Sequence, residues 1–319
     1  STLLEIQGLH VEIPLSAGIL KAVRNVSFSV VRGKTLALVG ESGCGKSLTA
    51  LAIMNLLPQR AIRSCKRLSF EGQDLASTNE RHMADIRGNK IAMIFQEPMT
   101  SLNPCYTIGN QMQEALLRHR RVTRKEALDR AVFLLEKVGI TAAESRLKQY
   151  PHQLSGGLRQ RVMIAMGLMC GPPLIIADEP TTALDVTIQA QILSLLKGLQ
   201  QEFDMGMILI THDLGIVARV ADGVSVMYCG QVVETGDVTQ IFENPLHPYT
   251  QGLMECIPIP GKTQPGEHLG SIPGIVPTPI GDMTGCTFRN RCPFVSKACN
   301  ESDVALQEIS TGRAYQCLL

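Results

Sequence analysis

Apolar and polar residues alternate from Leu3 to Pro14 and again from Ala22 to Val30, which predicts two strands, each with one buried face. Arg32-Gly33 marks a turn, and Thr35 to Val39 is a short apolar run that predicts a buried strand. Leu48 to Met54 predicts the helix that follows, and Arg67–Glu71 and Lys90–Gln96 predict further strands before a break at Asn103-Pro104. From Ile108 to Leu147 the period changes. Leu128, Ala131, Val132, Leu135 and Val138 recur at three- and four-residue steps, which predicts a helical insertion. A helix opened by Leu154–Gln160 and running through Met169 comes next, then an apolar strand, Leu174 to Asp178, that ends in an acid. Ile188, Ile192, Leu195, Leu199 and Phe203 mark another helix, and Met207 to Thr211 another strand. Val224 to Glu234 predicts a hairpin turning at Cys229-Gly230. Beyond Asn244 the composition shifts, and residues 257–279 are rich in Pro and Gly, as in a linker or an irregular platform. Strands interleaved with helices predict an α/β fold, and no internal repeat is visible.

Composition narrows the picture. With 319 residues, 45% of them hydrophobic, the chain can build one large domain and a small second one. Its 30 basic and 29 acidic residues balance, which gives no support to nucleic-acid binding. The start has no charged segment followed by an apolar one, and the longest apolar stretch, Val162 to Ala177, is broken by Gly171-Pro172-Pro173. The expectation is a soluble, intracellular protein without a signal peptide or membrane span. The abrupt end at Cys317-Leu318-Leu319 suits a short tail missing beyond it.

Ten cysteines divide into two groups. Cys44, Cys65, Cys105, Cys170, Cys229 and Cys256 stand singly, mostly beside apolar residues, and are expected to be small buried hydrophobes. Cys286, Cys292, Cys299 and Cys317 crowd together near the end. A reducing compartment disfavours disulfides. Four thiolates from one short segment suit Zn²⁺ or a [4Fe–4S] cluster, and their spacing favours neither; unligated buried thiols are the remaining alternative.

The candidate chemistry lies in three stretches. Gly40-Glu41-Ser42-Gly43-Cys44-Gly45-Lys46-Ser47 fits the phosphate-loop pattern G-x-x-x-x-G-K-[ST] between a predicted strand and a predicted helix. Glycines let backbone N–H groups converge on phosphate oxygens, and the helix N-terminus adds partial positive charge. Lys46 can reach the β- and γ-phosphates and Ser47 can ligate Mg²⁺. Asp178-Glu179, at a strand end, can supply a metal-binding carboxylate and a group to direct water, which a nucleotide hydrolase needs. Leu154-Ser155-Gly156-Gly157-Leu158-Arg159-Gln160 opens a helix with a serine and two glycines, a second anion cradle.

With these stretches the chain resembles the ATP-binding-cassette family. The matches, in the family's order, are Gly40–Ser47 (Walker A), Gln96 (Q-loop), Leu154–Gln160 (signature), Leu174–Glu179 (Walker B), Thr182-Ala183-Leu184-Asp185 (D-loop) and His212 (H-loop). The resemblance implies a RecA-like core with an antiparallel β subdomain and a helical subdomain at about 98–165. Together these would form a nucleotide-binding domain over 1–256, followed over 257–319 by a linker and a Cys-rich domain holding a metal cluster. It implies that Gly40, Glu41, Ser42, Gly43, Cys44, Gly45, Lys46 and Ser47 bind ATP, and that Ser47, Gln96 and Asp178 serve Mg²⁺. Gln96 would also sense the γ-phosphate, Glu179 would be the general base, and His212 would hold the γ-phosphate and the attacking water. Ser155, Gly156 and Gly157, with Gln160 and Asp185, would act on ATP held by a partner in a head-to-tail dimer.

Residues 90–109, Tyr150–Gly157, His247-Pro248-Tyr249-Thr250 and the tail with Ile272–Pro277 and Cys286, Cys292, Cys299 are similar to the dipeptide, oligopeptide and nickel importer branch. That likeness implies a second, distinct ATPase subunit, two membrane permeases, a periplasmic binding protein and a place on the cytoplasmic face of the inner membrane. Peptides, nickel chelates and peptide-like compounds remain open as cargo. It also implies [4Fe–4S] at Cys286, Cys292, Cys299 and Cys317. One departure stands out: the family stacks an aromatic on adenine, but none lies between Ser1 and Phe28. Ile13, or Leu20 with Val23, would have to pack on the base instead. DNA-repair and translation cassettes fit less well, because the insertion is too short for a coiled coil and only one cassette is present. The signature and His212 argue against a P-loop kinase, and Glu179 with His212 against a dead regulatory cassette.

Overall fold

The computed structural model describes residues 1–181, 184–257 and 270–319. Thr182 and Ala183 of the expected D-loop, and much of the Pro/Gly-rich stretch, lie outside the described residues. Strands β1 (Thr2–Leu15), β2 (Gly18–Val31) and β3 (Thr35–Val39) lead into helix α1 (Lys46–Ile53). Then come β4 (Ile62–Ser64), β5 (Arg67–Phe70), β6 (Gln73–Asp74), α2 (Glu80–Ile86) and β7 (Ile91–Ile94). A helical run follows: α3 (Pro98–Ser101), α4 (Ile108–His119), α5 (Arg124–Lys137), α6 (Ala143–Arg146) and α7 (Gly156–Gly167). Next are β8 (Leu174–Asp178), α8 (Val186–Glu202), β9 (Gly206–Thr211), α9 (Leu214–Val220), β10 (Gly223–Tyr228) and β11 (Gln231–Asp237). The chain finishes with α10 (Val238–Glu243), α11 (Pro248–Glu255), α12 (Ala298–Glu301), β12 (Gln307–Ser310) and β13 (Arg313–Tyr315). No described helix is long and apolar enough to cross a membrane.

The chain forms two compact units. The first holds residues 1–3, 30–35 and 77–210. In it β7, β8 and β9 run parallel, with Ile91 opposite Leu174 and Leu174 opposite Gly206. Every residue of β8 and β9 is buried, which explains their unbroken apolar runs. The helical stretch predicted over 108–147 is three helices. Its first break falls where Arg120 turns extended and Thr123 starts α5 with a capping box to Glu126. Helices α4 and α5 pack on each other and both pack on α7.

The second unit holds residues 4–29, 36–76 and 211–319. One sheet has the order β2-β1-β5-β6, with β4 on β1, and is antiparallel along β1, β4, β5 and β6. In the other sheet β10 runs parallel to β3 and antiparallel to β11, which pairs with β13 and through it β12. The hairpin turns at Cys229-Gly230 as predicted, both with positive φ. Between β10, α11 and the cysteine segment sits an aromatic core. Tyr228, Tyr249 and Phe288 are almost fully buried, with ring centroids 4.6 to 5.4 Å apart.

The lone cysteines correct the expectation in part. Cys44, Cys170 and Cys229 are buried, whereas Cys65 and Cys256 are only half-buried and Cys105 is exposed. Cys105 follows the Asn103-Pro104 break, and its backbone N–H donates to the Asn103 side chain in an exposed turn, so there is no core there to enter.

Glu234 of β11 is fully buried, so its charge must be met inside the protein. Arg313 of β13 donates to its Oε1 at 2.7 Å, and the Leu246 and His247 N–H groups donate at 2.8 and 2.9 Å. Arg313 also donates to the Asn244 carbonyl at 2.7 Å, which ties β11, β13 and the approach to α11 together. Arg313→Met therefore leaves a buried carboxylate unpaired and costs about 3–5 kcal/mol of stability. Urea unfolding followed by circular dichroism checks this, since the chain has no Trp.

Candidate functional site

In the second unit the phosphate loop joins β3 to α1. Gly40, Gly43 and Gly45 have φ of 148°, 81° and 100°, conformations that L side chains avoid. Two of them also permit close approach: a Cβ at Gly40 would lie 2.2 Å from the Met227 carbonyl, and one at Gly45 2.5 Å from that of Ala22. Gly45 in the left-handed region is the N-cap of α1, so the helix begins at Lys46, two residues before its apolar run. The Lys46 ammonium is buried in the loop's curve, donating to the carbonyls of Gly40 at 2.8 Å and Glu41 at 3.0 Å. Burial pushes the Cys44 thiol up, with nearby Lys46 opposing. The Cys44 carbonyl accepts from Gly230 at 3.0 Å, which anchors the loop to the β10–β11 turn. Val23 is fully buried, while Ile13 and Leu20 are half-buried and still present apolar surface. His212 is exposed just before α9, whose N-cap is Asp213.

In the first unit Asp178 ends β8, nearly buried. Glu179 follows with φ 44°, a left-handed backbone rare for such a side chain, held by its N–H donating to the Ile210 carbonyl at 2.9 Å. This turn brings its carboxylate to Gln96, whose Nε2 donates to Glu179 Oε2 at 2.9 Å. Gln96 therefore spends its amide N–H on the acid, and its Oε1, like the Asp178 carboxylate, is a hard oxygen donor of the kind that suits a divalent cation. Ser155 is the N-cap of α7, its hydroxyl accepting from the Leu158 N–H at 3.4 Å. Gly156 and Gly157 form the first turn, with the Leu184 and Ile188 side chains in van der Waals range of where their Cβ atoms would be. Asp185 caps α8 and accepts from the Ile188 N–H at 3.0 Å. Gln160 is 1% exposed on the inner face of α7, set back from the cradle.

The four C-terminal cysteines come together. Cys286, Cys292, Cys299 and Cys317 are all free thiols and all line one cavity of about 30 Å³, walled by Phe288, Phe294, Val304 and Leu318. The Cys286 N–H donates to the Cys299 carbonyl at 2.8 Å, and a Cβ at Gly285 would lie 2.4 Å from that carbonyl. Burial pushes the Cys286 and Cys292 thiols up, and the neighbouring thiols add to this; the Ser296 hydroxyl pulls Cys299 down. Among the described residues no three His, Cys, Asp or Glu side chains are grouped to hold a single metal ion. Four soft sulfur donors on one apolar-walled cavity are a donor set that fits either Zn²⁺ or an iron–sulfur cluster.

Two contacts made by the phosphate loop have no local signal in the sequence. The Glu41 N–H donates to the Tyr249 hydroxyl at 2.9 Å, and Arg291 grips the Glu41 carboxylate with Nη1 at 2.7 Å and Nη2 at 3.0 Å. These contacts cross 208 and 250 residues of chain, so no spacing rule could find them. Gly45→Ala must place a methyl against the Ala22 carbonyl and strain φ as well. It is expected to weaken nucleotide binding at least about tenfold while secondary structure persists, by titration calorimetry and circular dichroism.

Comparison with known proteins bears on the whole chain. The model of the family "ABC transporter" matches residues 23–182, and that of "Oligopeptide/dipeptide transporter, C-terminal region" matches residues 233–299. The oligopeptide transport ATP-binding protein AppD of Bacillus subtilis is 50% identical over 321 residues, covering 100% of this chain and 97% of that protein. The dipeptide transport ATP-binding protein DppD of Escherichia coli is 48% identical over 315 residues, covering 99% and 96%. Among solved structures, a dimeric post-hydrolysis ATP-binding cassette, MJ0796 with ADP and Pi, is similar with a TM-score of 0.66 and 26% identity, over 74% of this chain and 98% of that one. From its phosphate loop to its cysteine-bearing end, the chain belongs to the ABC transporter family.

Proposed function

We propose that this chain binds and hydrolyses ATP to power uptake of di- and oligopeptides by a bacterial importer. What carries the reading is the presence, in one chain, of a cassette ATPase and a C-terminal region of the oligopeptide/dipeptide transporter type. The peptide and dipeptide transport roles printed for its relatives support the cargo class.

Each site residue then has a task. The loop amides from Gly40 to Ser47 and the Lys46 ammonium bind phosphate oxygens; to do so Lys46 exchanges its present carbonyl partners for them. Ser47, Gln96 and Asp178 would hold Mg²⁺ through their oxygens, and the ion would supply neutralisation of charge on the transferred phosphoryl group. Glu179 takes the proton of the attacking water, and its hydrogen bond from Gln96 keeps the metal-side amide and the base in register. His212 orients the γ-phosphate. Ser155 and Gly157 complete the site of a partner subunit, because a cradle without a lysine of its own suits phosphates already held elsewhere. That partner is a second, homologous ATPase, and the pair works under two permeases and with a periplasmic binding protein, at the cytoplasmic face of the inner membrane. Ile13 and Leu20 pack on adenine by apolar contact, since Val23 is buried.

In this reading Cys286, Cys292, Cys299 and Cys317 hold a [4Fe–4S] cluster, which cross-links a segment short of core residues; Zn²⁺ is the alternative. The shared cavity of the four thiols supports it.

Glu179→Gln is expected to lower ATP turnover by about a hundredfold or more and to abolish labelled-peptide uptake by the assembled transporter, while ATP still binds. Turnover like wild type would remove Glu179 from this role, and uptake of Ni²⁺ alone would overturn the peptide assignment. Protein purified without oxygen is expected to be brown, with about four iron and four sulfide per chain, lost in Cys292→Ser. Stoichiometric zinc without iron would replace the cluster by a zinc site.

A further inference from the structure

The second residue of a phosphate loop can be almost anything, because the loop works through backbone N–H groups. Here it is an acid, a poor neighbour for a triphosphate. The structure disarms it. Arg291, with its side chain 3% exposed, takes both carboxylate oxygens of Glu41 in a two-pronged grip. The same guanidinium donates to the carbonyls of Pro273 at 2.9 Å and Ile272 at 3.0 Å and lies 5.8 Å from the Tyr228 ring centroid. Gly274, at φ 86°, leaves a lane for the arginine stem: a Cβ there would sit 3.2 Å from Arg291 Cγ. The backbone N–H of Glu41 is held as well, by the buried Tyr249 hydroxyl. The loop residue is thus fixed at both its side chain and its backbone, and every anchor lies downstream of residue 227. Arg291 also immediately precedes, in sequence, Cys292, which lines the cysteine cavity.

We propose that Arg291 is a positioning residue for ATP: by holding Glu41 it keeps that carboxylate off the phosphates and the loop amides in their binding geometry. The cysteine-bearing segment is then part of the nucleotide-binding apparatus, beyond any role in holding a cluster. This rests on the phosphate loop being the ATP site.

The competing role is a clasp that merely holds the C-terminal segment down. A double-mutant cycle on ATP Kd, measured on the full chain by titration calorimetry, separates the two. Arg291→Met is expected to raise Kd about tenfold, because it leaves a bare carboxylate in the loop. Glu41→Gln removes the acid, and the double variant is expected to bind like Glu41→Gln rather than like Arg291→Met, so that removing the acid rescues the loss of the arginine. A clasp predicts the reverse: a lower Tm with Kd unmoved, or a double variant as weak as Arg291→Met; either result overturns the proposal. Should Arg291→Met fail to fold, Arg291→Lys decides, with a Kd raised about threefold in support and an unchanged Kd against. Lys46→Ala is run alongside: if it binds ATP as wild type does, the ATP-site reading itself fails, independently of Arg291.

Discussion

A carboxylate shut away from water must meet its counter-charge where it lies, and Glu234 is that carboxylate. Its partners set the order of the second unit. Arg313 brings the last strand to β11, and the two N–H groups at Leu246 and His247 fix the start of α11. His247 then caps that helix by accepting from the Tyr249 N–H, and burial pushes its own pKa down to about 4, so it stays a neutral acceptor. Tyr249 is left packed against Tyr228 and Phe288 with its hydroxyl on the Glu41 N–H. One buried charge is thereby linked, contact by contact, to the phosphate loop.

The aromatic residues show the same concentration. They make up 4% of the chain, yet Tyr228, Tyr249 and Phe288 meet in one core under the cysteine segment. Large rings bury much area in few residues, which lets a short, loop-rich segment stay attached without a sheet or bundle of its own. The cysteine cavity shares Phe288 with that core, so whatever orders the thiols also orders the rings.

How much of this could be read beforehand follows from the range of each interaction. The phosphate loop, the strand ending in Asp178, the Ser155 cradle and the Cys229-Gly230 hairpin are local events, and their residues announce them. The single helical segment over 108–147 proved to be three because Thr123 and Glu126 form a capping box that periodicity ignores. Strands β12 and β13 went unread: Gln307–Ser310 is exposed throughout, so no alternation marks it. Glu234 is the last residue of the predicted hairpin, and its burial depends on an arginine 79 residues later. Arg291 is invisible for the same reason, since a charge pair across the chain leaves no period in it, and the hydrogen bond that joins Tyr249 to the Glu41 N–H leaves none either.

The distance between Glu41 and Arg291 also has a meaning in time. A ribosome lays down the loop's acid 250 residues before the arginine that restrains it. At about 5–20 residues per second, that is roughly 12–50 s of synthesis. For that interval the growing chain displays a complete Walker motif whose support has not yet been made. Only translation of the final segment finishes the loop, so a polypeptide broken off before Arg291 keeps the motif and lacks the residue that restrains it.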